Sequence, residues 1–133
     1  MMTWPAHYPN QCPPSSASST AGVVYRFING RNPAAKDFLS YYHLKPEHDW
    51  GTQECNARGL SVYADLSACY ELAEAVPAMK KKKIAVAKFS APLGVWASTP
   101  SSNCQGHKTW WLPENIQNIV DVFTVIARES SNA

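Results

Sequence analysis

β-Branched and aromatic residues crowd the run Val23-Val24-Tyr25-Arg26-Phe27-Ile28, bracketed by Gly22 and the turn signal Asn29-Gly30, and this predicts a first strand. Asn32 before Pro33 offers a helix cap and a first-turn proline. Ala35, Phe38, Leu39 and Tyr42 then recur at helical spacing until Lys45-Pro46 ends the run, predicting a first helix. From Glu47 to Arg58 no period is visible, so a long surface loop is expected. After Gly59, Leu60, Val62 and Ala64 alternate with Ser61 and Tyr63 as in a strand with one apolar face. Asp65 then offers a carboxylate to the open amides of a helix whose Leu66, Cys69, Tyr70, Ala73 and Val76 form one stripe before Pro77.

Beyond Pro77, Lys80-Lys81-Lys82-Lys83 leads into a third strand, Ile84 to Phe89. Short strands are predicted at Val95-Trp96-Ala97 and Lys108-Thr109-Trp110-Trp111, and one helical turn at Pro113-Glu114-Asn115. The nearly continuous apolar run from Ile119 to Ala127 predicts a final strand buried on both faces. The order β-α-β-α followed by strands is that of an α+β fold, a mainly antiparallel sheet of about five to six strands with two principal helices. Residues 1–21, with four prolines and the run Ser15-Ser16-Ala17-Ser18-Ser19-Thr20, are expected as a flexible Pro/Ser-rich tail that Trp4 and Tyr8 would pin to the surface. A single globular domain is expected over 22–129, and disorder over 130–133.

With 133 residues, 45% of them hydrophobic, the chain can bury one core but not two. Twelve Lys and Arg against ten Asp and Glu leave +2, too weak a balance to imply nucleic acid or an acidic membrane surface. No stretch approaches the roughly 18 apolar residues of a spanning helix, and Met1-Met2-Thr3-Trp4-Pro5 lacks the features of an export signal, so a cytoplasmic protein without membrane contact is expected. The four cysteines, Cys12, Cys55, Cys69 and Cys104, have no zinc-knuckle spacing and are expected as reduced thiols, with two disulfides only if the chain is exported. Nothing in the spacing of His43, His48, Cys55 and His107 requires a metal, and none is predicted.

The chain carries no phosphate-binding glycine loop, dinucleotide fingerprint, nucleophile elbow or His-Glu-x-x-His. Its chemistry rests on isolated residues. Arg26, inside a core strand, must face solvent, pair with a carboxylate or line a cavity, and its planar fork suits an anion clamp. The lysine run reads as a solvated turn or a phosphate-binding patch. Adjacent Trp110 and Trp111 must point to opposite faces of a strand, one inward and one outward; the outward ring, beside His107, either covers an edge or offers a ligand platform.

Gly59-Leu60-Ser61-Val62-Tyr63-Ala64-Asp65-Leu66-Ser67-Ala68 resembles the strand-turn-helix block of the ADP-ribosyltransferase superfamily, over ten residues. The resemblance implies an ADP-ribosyltransferase-like fold that binds NAD or a related nucleotide. It would transfer ADP-ribose to a protein or nucleic acid, or hydrolyse NAD. Arg26 would hold a phosphate or ribose, Ser61 would hydrogen-bond the ribose or carboxamide, and Tyr63 would stack on the nicotinamide. The superfamily's later glutamate has no counterpart in Lys108-Thr109-Trp110-Trp111 or the final strand; the nearest carboxylates are Glu114 and Asp121, and His107 would substitute as a polar contact. Arg26, Tyr63 and His107 are thus the catalytic candidates, and Arg26, Ser61 and Tyr63 the cofactor-binding ones. Cys12-Pro13-Pro14, Val24-Tyr25-Arg26, Asp37-Phe38, Gly59 to Tyr63 and His107 to Trp111 also resemble small bacterial proteins of unassigned function. The alternative from another class is a non-catalytic protein-binding module, an antitoxin, immunity protein or host-factor binder, using Trp110 or Trp111 and the aromatic loop near Trp50.

Overall fold

The computed structural model describes residues 3–90, 93–100, 104–114, 116 and 119–126. Six strands pair into one sheet: β1 (Gly22–Ile28), β2 (Leu60–Tyr63), β3 (Lys83–Phe89), β4 (Val95–Ser98), β5 (His107–Trp111) and β6 (Thr124–Ile126). They lie in the order β4-β5-β2-β1-β3-β6, every neighbouring pair antiparallel. The helices among the described residues are α1 (Tyr41–Leu44), α2 (Glu54–Arg58), α3 (Leu66–Ala75) and α4 (Ile119–Val122). None is long and apolar enough to cross a membrane. The α+β class and the antiparallel sheet therefore stand as the apolar pattern predicts.

The sheet buries both faces because its strands alternate two apolar sets. Val24, Ile28, Val62, Ala85, Ala87, Phe89, Trp110 and Phe123 form one core cluster. Phe27, Tyr63 and Ile84 project from the other face and pack with Ala68, Cys69 and Leu72 of α3. That helix starts where the sequence places it: the Asp65 carboxylate accepts from the Ala68 amide at 2.8 Å and from the Ser67 hydroxyl at 2.6 Å.

The predicted first helix is broken. A 3-10 turn, Ala35–Phe38, gives way to extended backbone at Leu39 before α1 begins. An α-helix through this region would turn the Asp37 carbonyl to a later amide, but Arg26 takes that oxygen with two nitrogens, at 2.7 and 2.9 Å. The Asp37 carboxylate accepts from the Ala34 and Asn29 amides, and Ser40 caps α1 by accepting from His43 N. Local side-chain bonds thus compete successfully with the helical ladder. The expected loop over 47–58 instead contains a 3-10 turn, Gly51–Gln53, and α2. These pieces are too short to show a period, and distant partners hold them, among them Trp111, whose Nε1 donates to the Cys55 carbonyl at 2.8 Å.

The run from Ile119 is not one doubly buried strand. Within the described residues it forms α4 and the half-exposed edge strand β6, paired on one side only with β3. Ala127, Asn115 and the segment 130–133, expected to be disordered, lie outside the described residues.

The segment expected as a flexible tail is fastened to the domain. Cys12 is disulfide-bonded to Cys55 in α2, correcting the expectation of reduced thiols for that pair. Ser18 and Trp96 exchange two backbone hydrogen bonds at 2.9 Å, and the Trp96 indole N–H donates to the Thr20 carbonyl. Trp4, Tyr8 and Ala17 pack against Cys12, Ala97 and Trp111. This cover explains a second correction: neither tryptophan of β5 points to solvent, both being 0% exposed. Trp110 joins the first core cluster, and its Nε1 donates to the Leu93 carbonyl at 2.8 Å.

Candidate functional site

The middle of the sheet assembles the candidate residues. In β2 and β5 the register pairs Tyr63 with His107 and Ser61 with Thr109, so all four side chains share one sheet face. Gly59 lets the strands approach, since a Cβ there would overlap the Thr109 methyl and lie 3.0 Å from the Trp110 carbonyl oxygen. On this face His107 Nε2 sits 2.8 Å from Ser61 Oγ, while Nδ1 sits 2.8 Å from the Thr99 carbonyl oxygen.

That carbonyl fixes the imidazole's tautomer. A carbonyl can only accept, so Nδ1 carries the hydrogen and Nε2 presents its lone pair to the Ser61 hydroxyl, which donates. Burial lowers the His107 pKa, partly opposed by the bond to Thr99, so the ring is neutral at pH 7. Tyr63 meets the imidazole edge-on, with centroids 5.6 Å apart. Its own ring is 4% exposed and packs on Phe27, and burial raises its pKa, so it stays protonated. In this position Tyr63 is largely buried and packs edge-on against His107.

Arg26 reaches Ser61 from the opposite face. Its neighbours in alternation, Val24 and Ile28, belong to the first core cluster, and its guanidinium lies 5.8 Å from the Phe38 ring centroid. Strands β1 and β2 pair only at Tyr25 and Tyr63 and splay beyond that point. The guanidinium fills the gap: NH1 donates to the Ser61 carbonyl at 2.6 Å, and Nε and NH2 to that of Asp37. Among the described residues no carboxylate forms a salt bridge with it, and desolvation lowers its pKa, opposed by Tyr63, Tyr41 and Asp37. Arg26, Ser61, His107 and Thr99 thus form a continuous hydrogen-bonded chain, with Arg26 holding the backbone of the residue whose hydroxyl meets the base.

Two clefts adjoin this chain and share Tyr41 and Ser61 as walls. One, of about 170 Å³, is lined by Arg26, Ser61 and Tyr63, with Lys36 and Lys82 among its other residues. The second, of about 410 Å³, holds Ser61 and His107 together with Trp50, Gln53, Asn56 and Pro100. Only the larger is within the roughly 300–1,000 Å³ of ordinary small-molecule sites. The Trp50 indole N–H is buried without a hydrogen-bond partner among the described residues. Among those residues no three His, Cys, Asp or Glu side chains gather as a metal site.

The structure therefore brings Arg26, Ser61, Tyr63 and His107 together, with Arg26 joining through the Ser61 backbone rather than through its side chain. Sequence reasoning missed Thr99, Tyr41, Gln53 and Asn56. Thr99 contributes a backbone carbonyl, for which no residue type signals; Gln53 and Asn56 lie on short helical pieces without a period, and Tyr41 lies off the apolar stripe of its run. No protein-family model, curated protein or solved structure matches the chain.

Proposed function

We propose that the protein binds NAD or a related nucleotide in the two clefts that meet at Ser61, as a small ADP-ribosyltransferase-like domain. The observation that carries this reading is that Arg26, Ser61 and Tyr63, the residues singled out by the resemblance, line one cleft while Ser61 and His107 line its neighbour. The larger cleft takes the nicotinamide and its ribose, with Tyr41 and Trp50 as aromatic walls and the Ser61 hydroxyl beside the ribose. Phosphates fall towards Lys36 and Lys82, because the nitrogens of Arg26 are engaged with carbonyls. Cleavage breaks the ribose C1′–N bond, nicotinamide leaves with the electron pair, and His107 takes the proton of the attacking water or acceptor hydroxyl.

Calorimetric titration with NAD, ADP-ribose and nicotinamide, followed by assay of nicotinamide release, tests the reading. Saturable binding of NAD, weakened in Ser61→Ala, is the expected result. No affinity for NAD, its fragments or other adenine nucleotides overturns it.

One observation favours the second reading, a non-catalytic protein-binding module. Leu39, Tyr41 and Leu44 are 40%, 54% and 59% exposed and lie together beside the smaller cleft. Trp110 and Trp111, being buried, take no part in it. A co-purifying protein lost on Leu44→Asp, with no nucleotide effect on stability, would establish that reading instead.

A further inference from the structure

Ser61 and His107 satisfy a stricter geometric requirement than ligand binding imposes. A nucleophilic serine needs a hydroxyl within about 2.6–3.2 Å of a neutral base whose other nitrogen is oriented by a third group. Ser61 Oγ lies 2.8 Å from His107 Nε2, and Nδ1–H donates to the Thr99 carbonyl at 2.8 Å. Thr99 Oγ1, 2.9 Å from the same nitrogen and 2.8 Å from Thr109 Oγ1, closes the outer side of the ring. This is the arrangement of a serine-histidine pair with a backbone carbonyl in the place of the orienting carboxylate.

The surrounding cleft specifies what such a nucleophile would meet. Among the described residues no Lys, Arg, Asp or Glu lines it. Gln53 and Asn56 contribute amides to the wall, where Asn56 Nδ2 donates to Gln53 Oε1 at 2.9 Å. Tyr41, Trp50 and Pro100 supply apolar surface. An uncharged ester of an aromatic or apolar alcohol fits this lining; a carboxylate- or phosphate-bearing one finds no cation among the described residues.

We propose that Ser61 is a nucleophile activated by His107 and that the larger cleft hydrolyses small uncharged carboxylic esters through an acyl-Ser61 intermediate. In the first step the Ser61 hydroxyl proton passes to His107 Nε2 as Oγ bonds to the ester carbonyl carbon. The carbon–oxygen bond to the alcohol then breaks, and the leaving oxygen recovers the proton from Nε2. Water repeats the sequence on the acyl-serine, giving its proton to Nε2, releasing the carboxylic acid and restoring the Ser61 hydroxyl. Ester and water become acid and alcohol, with no further reactant. This activity needs no nucleotide and stands apart from the NAD reading.

The test uses the purified full chain with 4-nitrophenyl acetate, reading nitrophenolate release and, by peptide mass spectrometry, the residue that is acetylated. The expected result is acetylation at Ser61, with hydrolysis falling about 100-fold or more in His107→Gln and to background in Ser61→Ala. Ser61→Ala deletes one oxygen only, and its thermal unfolding serves as the check that it folds. The rate should rise with pH and level off by neutral pH as His107 loses its proton. Hydrolysis by folded Ser61→Ala at the wild-type rate, acetylation confined to lysines or tyrosines, or no acetylation at all overturns the proposal. NAD titration of the same preparations reports separately, so each reading fails or stands alone.

Discussion

Arg26 shows how one side chain can belong to fold and site at once. Its three nitrogens tie the Asp37 and Ser61 carbonyls across the gap between β1 and β2. Each such bond to a charged donor contributes roughly 1.5–3 kcal/mol. Arg26→Ala is expected to destabilise the protein by at least that amount, with Arg26→Lys between it and wild type because an ammonium cannot span both carbonyls in a fork; urea unfolding gives the values. Histidine protonation supplies a second prediction. Burial lowers the pKa of both His107 and His7, and the charges of His43 and Arg58 lower that of His7 further. The unfolded chain therefore binds more protons than the folded one below about pH 6.5. Stability should be complete above that pH and fall as the pH drops, and His107→Gln should make the fall shallower. A melting temperature that rises on acidification from pH 7 would contradict this.

At the scale of elements, α3 and the segment before it behave oppositely for a physical reason. The α3 stripe of Leu66, Cys69, Tyr70 and Ala73 has its own cap, and both signals are local. Asp65→Ala should cost about 0.5–2 kcal/mol, and because Asp65 is exposed the loss should appear without repacking, as a shifted denaturation midpoint at unchanged slope. The 33–45 region carries a comparable helical spacing and still breaks at Leu39, since Arg26 captures the Asp37 carbonyl and Ser40 starts a new helix. Spacing alone does not report that an oxygen has been claimed by a residue eleven positions earlier.

Across the whole molecule, the N-terminal segment completes the sheet's outer edge. It lays Trp4, Tyr8 and Cys12 over Trp111 and is covalently joined to α2, the helix that supplies Asn56 to the larger cleft. The disulfide closes a loop with a sequence separation of 43, a length for which chain entropy gives a stabilisation of roughly 2–4 kcal/mol. Cys12→Ser should lower the unfolding free energy by about that amount, and removal of residues 1–20 by more, because it also exposes Trp111. Retention of full cooperative stability by the truncated chain would show that the segment only rests on the surface.

By itself the sequence determined β1, β2, β3, β4, β5 and α3 with its Asp65 cap. Their alternation or stripe persists over enough consecutive residues that burial of one face decides the conformation. It also marked Arg26 as out of place in a core strand, whereas Ser61 and Tyr63 were singled out by the family resemblance and His107 as its polar substitute. Only the tertiary structure decided how they act. The Ser61 hydroxyl acquires its partner because the register of β2 against β5 sets it diagonally from His107. The imidazole acquires its tautomer from the Thr99 backbone; Trp111 is buried because residues far earlier in the chain cover it, and Trp110 because it packs into the core cluster on the other sheet face. Each of these depends on groups distant in sequence, whose approach is settled by sheet pairing and packing together, and no local pattern of residues encodes that.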